Sequence, residues 1–136
     1  MKKEIINNAK ILINRSQDDF FFSPDEDQNP RFIQAFLLQA SVIEGLIREF
    51  SCECNRKNKI LGLKAPRNFS QSARESRVAS HLKREEFKSL SSYIDFRNDI
   101  VHTILEKNDA SKLEREIDKK YNEGLDIVNF LLNKKL

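Results

Sequence analysis

Tyr93-Ile94-Asp95-Phe96-Arg97-Asn98-Asp99-Ile100-Val101-His102 is the stretch in which polar residues interrupt an apolar stripe in a patterned way. At about 100° per residue, Phe87, Leu90, Ile94, Val101 and Leu105 share one face of a helix, and Arg97 falls inside the same arc. A guanidinium among apolar side chains is costly unless something meets its charge, so an arginine there needs a reason. Asn98 and His102 lie one helical turn apart on the edge of that arc. Arg97, Asn98 and His102 are therefore expected to line one partly desolvated concavity suited to a phosphate.

The strongest helical period lies upstream of this stretch. From Arg31 to about Cys54, residues Phe32, Ile33, Phe36, Leu37, Ala40, Ile43, Leu46, Ile47, Phe50 and Cys54 form a broad apolar face, which predicts a central core helix. Asn29-Pro30 starts it well, with Asn as N-cap and Pro at the first helical position, where its missing N–H costs nothing. Glu44 falls within the apolar face, between the directions of Ile33 and Leu37, and an unpaired carboxylate there requires a cation. Arg97 is the natural candidate. The pair reads either as a buried salt bridge that fixes helix packing or as a carboxylate that orients Arg97 for a substrate phosphate.

The remaining segments complete an all-α, up-and-down bundle of four to five helices in a single domain spanning residues 1–136. A first helix is expected from Lys2 to about Ile13, with Ile5, Ile6, Ala9, Leu12 and Ile13 on its inner side. Polar residues, the triplet Phe20-Phe21-Phe22 and the turn-forming Ser23 to Pro30 then read as a connection. The triplet either packs this connection onto the bundle or presents a patch to a partner. Ser72-Ala73-Arg74-Glu75 has capping-box spacing, so a third helix is expected near Ala73. It either runs on through Val78, Leu82 and Phe87 to about Lys107 or breaks around Ser91-Ser92. Ser111-Lys112-Leu113-Glu114 repeats the spacing and opens the last helix, whose inner stripe is Leu113, Ile117, Tyr121, Leu125, Val128, Leu131 and Leu132. Gly124 in this helix either admits a close neighbour or costs up to about 1 kcal/mol relative to Ala.

Charge is distributed unevenly. The 24 basic and 21 acidic residues nearly cancel, yet Arg56, Lys57, Lys59, Lys64, Arg67 and Arg74 succeed one another with no Asp or Glu between Asn55 and Arg74. This segment reads as a solvated loop or as a phosphate-contacting RNA-binding arm, with Phe69 available to stack on a base. Cys52 and Cys54, one residue apart, are poorly placed for a structural disulfide. A zinc site from Cys52, Cys54, His81 and His102 lacks the usual ligand spacing, and His81 reads as a surface residue, so no metal or cofactor is expected. No apolar run approaches the roughly 20 residues of a membrane span and the N-terminus lacks a signal-peptide core, which predicts a cytoplasmic protein with no membrane partner.

Arg97-Asn98-Asp99-Ile100-Val101-His102 resembles the R-x4-6-H signature of HEPN (higher eukaryotes and prokaryotes nucleotide-binding) domains, including the polar residue directly after the arginine. The resemblance implies a small helical bundle, commonly a homodimer with a composite cleft. It also implies RNA as partner, either bound without catalysis or cleaved by a metal-independent endoribonuclease leaving 2′,3′-cyclic phosphate ends. On that pattern His102 serves as general acid or base, Arg97 neutralises the phosphate and Asn98 positions one of them. A toxin or defence role goes with it, with an antitoxin or nucleotidyltransferase-type protein as partner. One branch of the family carries a modifiable tyrosine two residues after the histidine, and here that position is Ile104, which puts tyrosine-directed silencing in doubt. The contrasting expectation is a non-catalytic helical interaction or accessory module, in which Arg97, Asn98 and His102 serve the packing alone.

Overall fold

A computed structural model describes residues 2–21, 31–57, 81–106 and 110–134, with side chains described except at 19–21, 31–32, 54–57, 101–106 and 110–114. The described residues form four helices and no strand: α1 (Lys3–Phe21), α2 (Arg31–Lys57), α3 (Arg84–Glu106) and α4 (Ala110–Asn133). The expected all-α bundle is what the chain forms. Helix α2 packs against both α1 and α4, and α3 packs against α4. Phe36 of α2 reaches α3 as well, its ring 5.3 Å from that of Tyr93 and edge-on to Phe96 at 5.6 Å.

Helix α2 is central, as its period predicted. Ala35, Phe36, Ala40, Ile43, Leu46, Ile47 and Phe50 are buried along it. It extends to Lys57, beyond Cys54.

Helix α1 runs eight residues past the expected end at Ile13. The polar stretch Asn14 to Asp19 is helical because its inward position is Ser16, three residues after Ile13 and fully buried. A serine at that place needs no apolar neighbour, since its hydroxyl donates to the Ile13 carbonyl at 2.8 Å. Ile5, Ala9, Ile13 and Ser16 therefore make the inner side. Leu12, expected there, is instead 37% exposed, and the adjacent Ile11 is 65% exposed.

Leu82-Lys83 is not helical and the helix that follows, α3, starts at Arg84 and continues unbroken through Ser91-Ser92. Leu82 is buried, and Lys83 stands at the N-cap of α3. Glu86 reaches back to accept the Lys83 backbone N–H at 2.9 Å, the carboxylate half of a capping box. The same oxygen accepts Lys134 Nζ at 2.6 Å, tying the end of α4 to the start of α3. Burial pushes the Glu86 carboxyl up, but the Lys134 and Lys83 hydrogen bonds and charges outweigh it and hold the group below its ordinary value. The capping-box positions around Ser72, and the Asn29-Pro30 start, lie outside the described residues. Helix α2 nevertheless begins at Arg31, directly after that pair.

A buried polar tie joins all four helices. Tyr93 Oη of α3 donates to Gln39 Oε1 of α2 at 2.8 Å, and Gln39 Nε2 donates to the Tyr121 carbonyl of α4 at 2.9 Å. Tyr121 Oη stands 2.7 Å from Ser16 Oγ of α1. Since the single Ser16 proton is given to Ile13, Tyr121 is the donor in that pair. Among the described residues no buried side-chain nitrogen or oxygen lacks a partner. Gly124 is required by the tie: a Cβ there would overlap the Gln39 carboxamide and stand 2.8 Å from Cε2 of Tyr93. The open choice at Gly124 thus resolves in favour of close approach.

Candidate functional site

Helix α3 carries the arginine motif, and its buried face differs from the stripe predicted for it. Leu90, Tyr93, Ile94 and Ile100 are buried, whereas Phe87 and Phe96 are half-buried against the core. Including Tyr93 and Ile100 rotates the buried arc so that Arg97 points along its middle. Arg97 is nonetheless only half-buried.

The guanidinium meets a neutral partner there. Arg97 Nη1 donates to Asn98 Oδ1 at 3.2 Å, with both residues half-buried, so the first two positions of the motif are brought together. His102 lies one turn after Asn98 within α3; its side chain lies outside the described residues. Arg97 also acts on its neighbour one turn back. The Tyr93 phenol is pushed well above its ordinary value by burial and by Tyr121, and the Arg97 charge pulls it partly down.

Glu44 does not meet Arg97. Its carboxylate pairs with Arg48, one turn along α2, at 3.7 Å, with side chains 27% and 46% exposed respectively. The physical reason lies in the face on which its period places it. Ile33 and Leu37, whose directions bracket it, are themselves only half-buried, so the carboxylate stands at the rim of the core and finds its cation locally. Glu44 therefore supports no Arg97 geometry in this structure.

The expected RNA-binding cations fall largely outside the described residues. Arg56 and Lys57 fall in the last turn of α2 with side chains outside the described residues, and Lys59, Lys64, Arg67 and Arg74 lie outside them altogether. The described residues contain no cluster of three His, Cys, Asp or Glu that could hold a metal ion. Cys52 is a half-buried free thiol, and His81 is exposed with its ring 6.2 Å from that of Phe50. No described helix is long and apolar enough to cross a membrane.

Sequence reasoning missed Gln39. It sits inside Phe36-Leu37-Leu38-Gln39-Ala40, on the side of Phe36 and Ile43, and it is fully buried. The signal that singled out Arg97, a polar residue inside an apolar arc, was equally present there. Also missed was a cross-helix contact in which Lys120 of α4 donates to Ser92 of α3 at 2.7 Å. Its Nζ also pairs with Glu123 at 3.0 Å and lies 5.9 Å from the centre of the Phe96 ring.

Fold and site together define a class: an all-helical bundle presenting an amide-held arginine on α3. No protein-family model, curated protein or solved structure matches the chain.

Proposed function

We propose that the chain is a HEPN-like, metal-independent endoribonuclease acting through Arg97, Asn98 and His102, with a toxin or defence role. One observation carries this reading: a half-buried guanidinium held by the Asn98 amide, while Glu44 is taken up by Arg48. An arginine neutralised by a carboxylate would have little attraction left for a phosphate. One oriented by a neutral acceptor keeps its full charge and most of its five N–H donors for an incoming anion.

The chemistry needs nothing beyond the RNA and these side chains. The ribose 2′-OH attacks the adjacent phosphorus as His102 takes its proton, and the bond from phosphorus to the 5′-oxygen breaks. The protonated His102 then gives that proton to the departing oxygen, leaving a 2′,3′-cyclic phosphate and a free 5′-hydroxyl. Arg97 meets the charge that develops on the phosphoryl oxygens. Five residues apart on one helix, Arg97 and His102 point about 140° apart and are separated by about 7.5 Å along the axis. Convergence on one phosphate is therefore assigned to two copies of the chain sharing a cleft.

The test is cleavage of single-stranded RNA in EDTA, with cyclic phosphate ends as product and DNA left intact. His102→Ala and Arg97→Ala should each abolish it. If the wild type is inert on every RNA tried and His102→Ala melts the bundle, the motif is structural and the chain is a helical interaction module.

A further inference from the structure

We infer that Gln39 is a positioning residue, whose buried amide sets the rotation of α3 about its axis and thereby aims Arg97. The amide is fixed at both ends, accepting from Tyr93 of α3 and donating to the Tyr121 carbonyl of α4. It lies in the space that a Cβ on Gly124 would occupy. One turn before Gln39 on α2, Phe36 packs against the rings of Tyr93 and Phe96. Helix α3 is thus gripped at Tyr93, one turn before Arg97, and at Phe96, immediately before it. Lys120 holds the far side through Ser92 and the Phe96 ring.

The geometry makes this grip consequential. A helix rotation of about 20° moves a group roughly 6 Å from the axis by about 2 Å. A misplacement of about 1 Å in a reacting constellation is enough to cost on the order of a hundredfold in rate. Gln39 shares no hydrogen bond with Arg97, so its influence must pass through α3.

The rate arm of the inference rests on the proposed nuclease reading; the structural arm does not. The variant is Gln39→Met, which keeps length and removes both hydrogen bonds. The control is Ile13→Ala, which opens a cavity on α1 away from α3. Two readouts are compared well below each melting temperature: the Arg97 Nε–Hε NMR resonance, assigned by its disappearance in Arg97→Lys, and kcat and KM for RNA cleavage. In Gln39→Met the Arg97 resonance should shift and kcat should fall by about tenfold to a hundredfold with KM little changed, and neither should happen in the control. An Arg97 resonance that coincides with wild type overturns the inference. So does an equal change in Ile13→Ala, because a merely structural role would affect both. If the wild type cleaves no RNA, the nuclease reading fails and the resonance alone decides the inference. Should Gln39→Met not fold, Tyr93→Phe removes only the hydroxyl, keeps the ring against Phe36, and is judged by the same outcomes.

Discussion

Tyr93 and Gln39 are joined at 2.8 Å across the boundary between α3 and α2, phenol to carboxamide, in the interior of the bundle. Both side chains are fully buried, and the Tyr93 hydroxyl and Gln39 Oε1 satisfy each other. Removing one partner strands a buried polar atom, a destabilisation of about 1–3 kcal/mol.

Gly124→Ala should destabilise the fold despite the better helix propensity of alanine. The propensity gain is at most about 1 kcal/mol. The new methyl displaces Gln39 and presses on Tyr93, an overpacking cost of about 1–3 kcal/mol, and it also breaks the Tyr93 hydrogen bond. Thermal unfolding should give a lower melting temperature than wild type, and a rise would show that the tie yields freely.

In alkaline titration, Tyr93 should resist ionisation well past pH 10. Burial keeps Tyr93 neutral when folded, whereas the unfolded phenol titrates normally. Its contribution to stability is complete below pH 10 and is lost as pH rises from there towards the higher folded value. Absorbance at the phenolate band and far-ultraviolet circular dichroism should change together for Tyr93, while Tyr93→Phe removes that joint step.

The link between α3 and the end of α4 should be acid-sensitive. Because the folded Glu86 carboxyl is held below its ordinary value of 4.5, its stabilisation is present above that pH and disappears as pH falls through the folded value. Lys134→Met should lower stability by about 1 kcal/mol at pH 7 and by much less near pH 3. Equal changes at both pH values would mean that the Lys134 stem, rather than its charge, is what matters.

Arg97 and Glu44 should prove energetically independent. Since Glu44 is paired with Arg48, a double-mutant cycle of Arg97→Ala with Glu44→Gln should couple by less than about 0.5 kcal/mol, and Arg97→Ala should abolish cleavage without unfolding the protein. A coupling of several kcal/mol would restore a buried Glu44–Arg97 pair.

For the basic segment the expected signature is ionic. Replacing Arg56, Lys57 and Lys59 with Ala should weaken binding of different RNAs alike and reduce the salt slope by roughly one unit for each phosphate that is no longer neutralised. An unchanged slope would assign these cations to solvated surface.

Helical periods made α2 and the inner stripe of α4 readable in advance, because Ile43, Ile47, Phe50, Ile117 and Leu131 announce their burial by type. The register of α3 was harder to read. Tyr93 lies off the apolar stripe, yet its hydroxyl finds a partner 54 residues away in the chain. Ser16 misled in the same way, since a polar run hid a helix whose inward serine bonds to its own backbone. Glu44 shows the opposite error. Periodicity indicates its direction but not the height of the surrounding rim, which is set by how far Ile33 and Leu37 are covered by other helices. Arg97 and Asn98 were legible as members of one motif, but that they meet each other, and that Glu44 finds Arg48 instead of Arg97, had to await the fold.

The Gly124 contact also has a hereditary consequence. A side chain at position 124 is compatible with the bundle only if the residue at 39 is shorter or turned aside, and a change at 39 leaves the hydroxyl at 93 without its acceptor. Positions 39, 93 and 124 are therefore bound to one another in descent. Divergent copies of this chain should keep the glutamine, tyrosine and glycine as a set or exchange them as a set, while Ile11 on the outer side of α1 drifts freely.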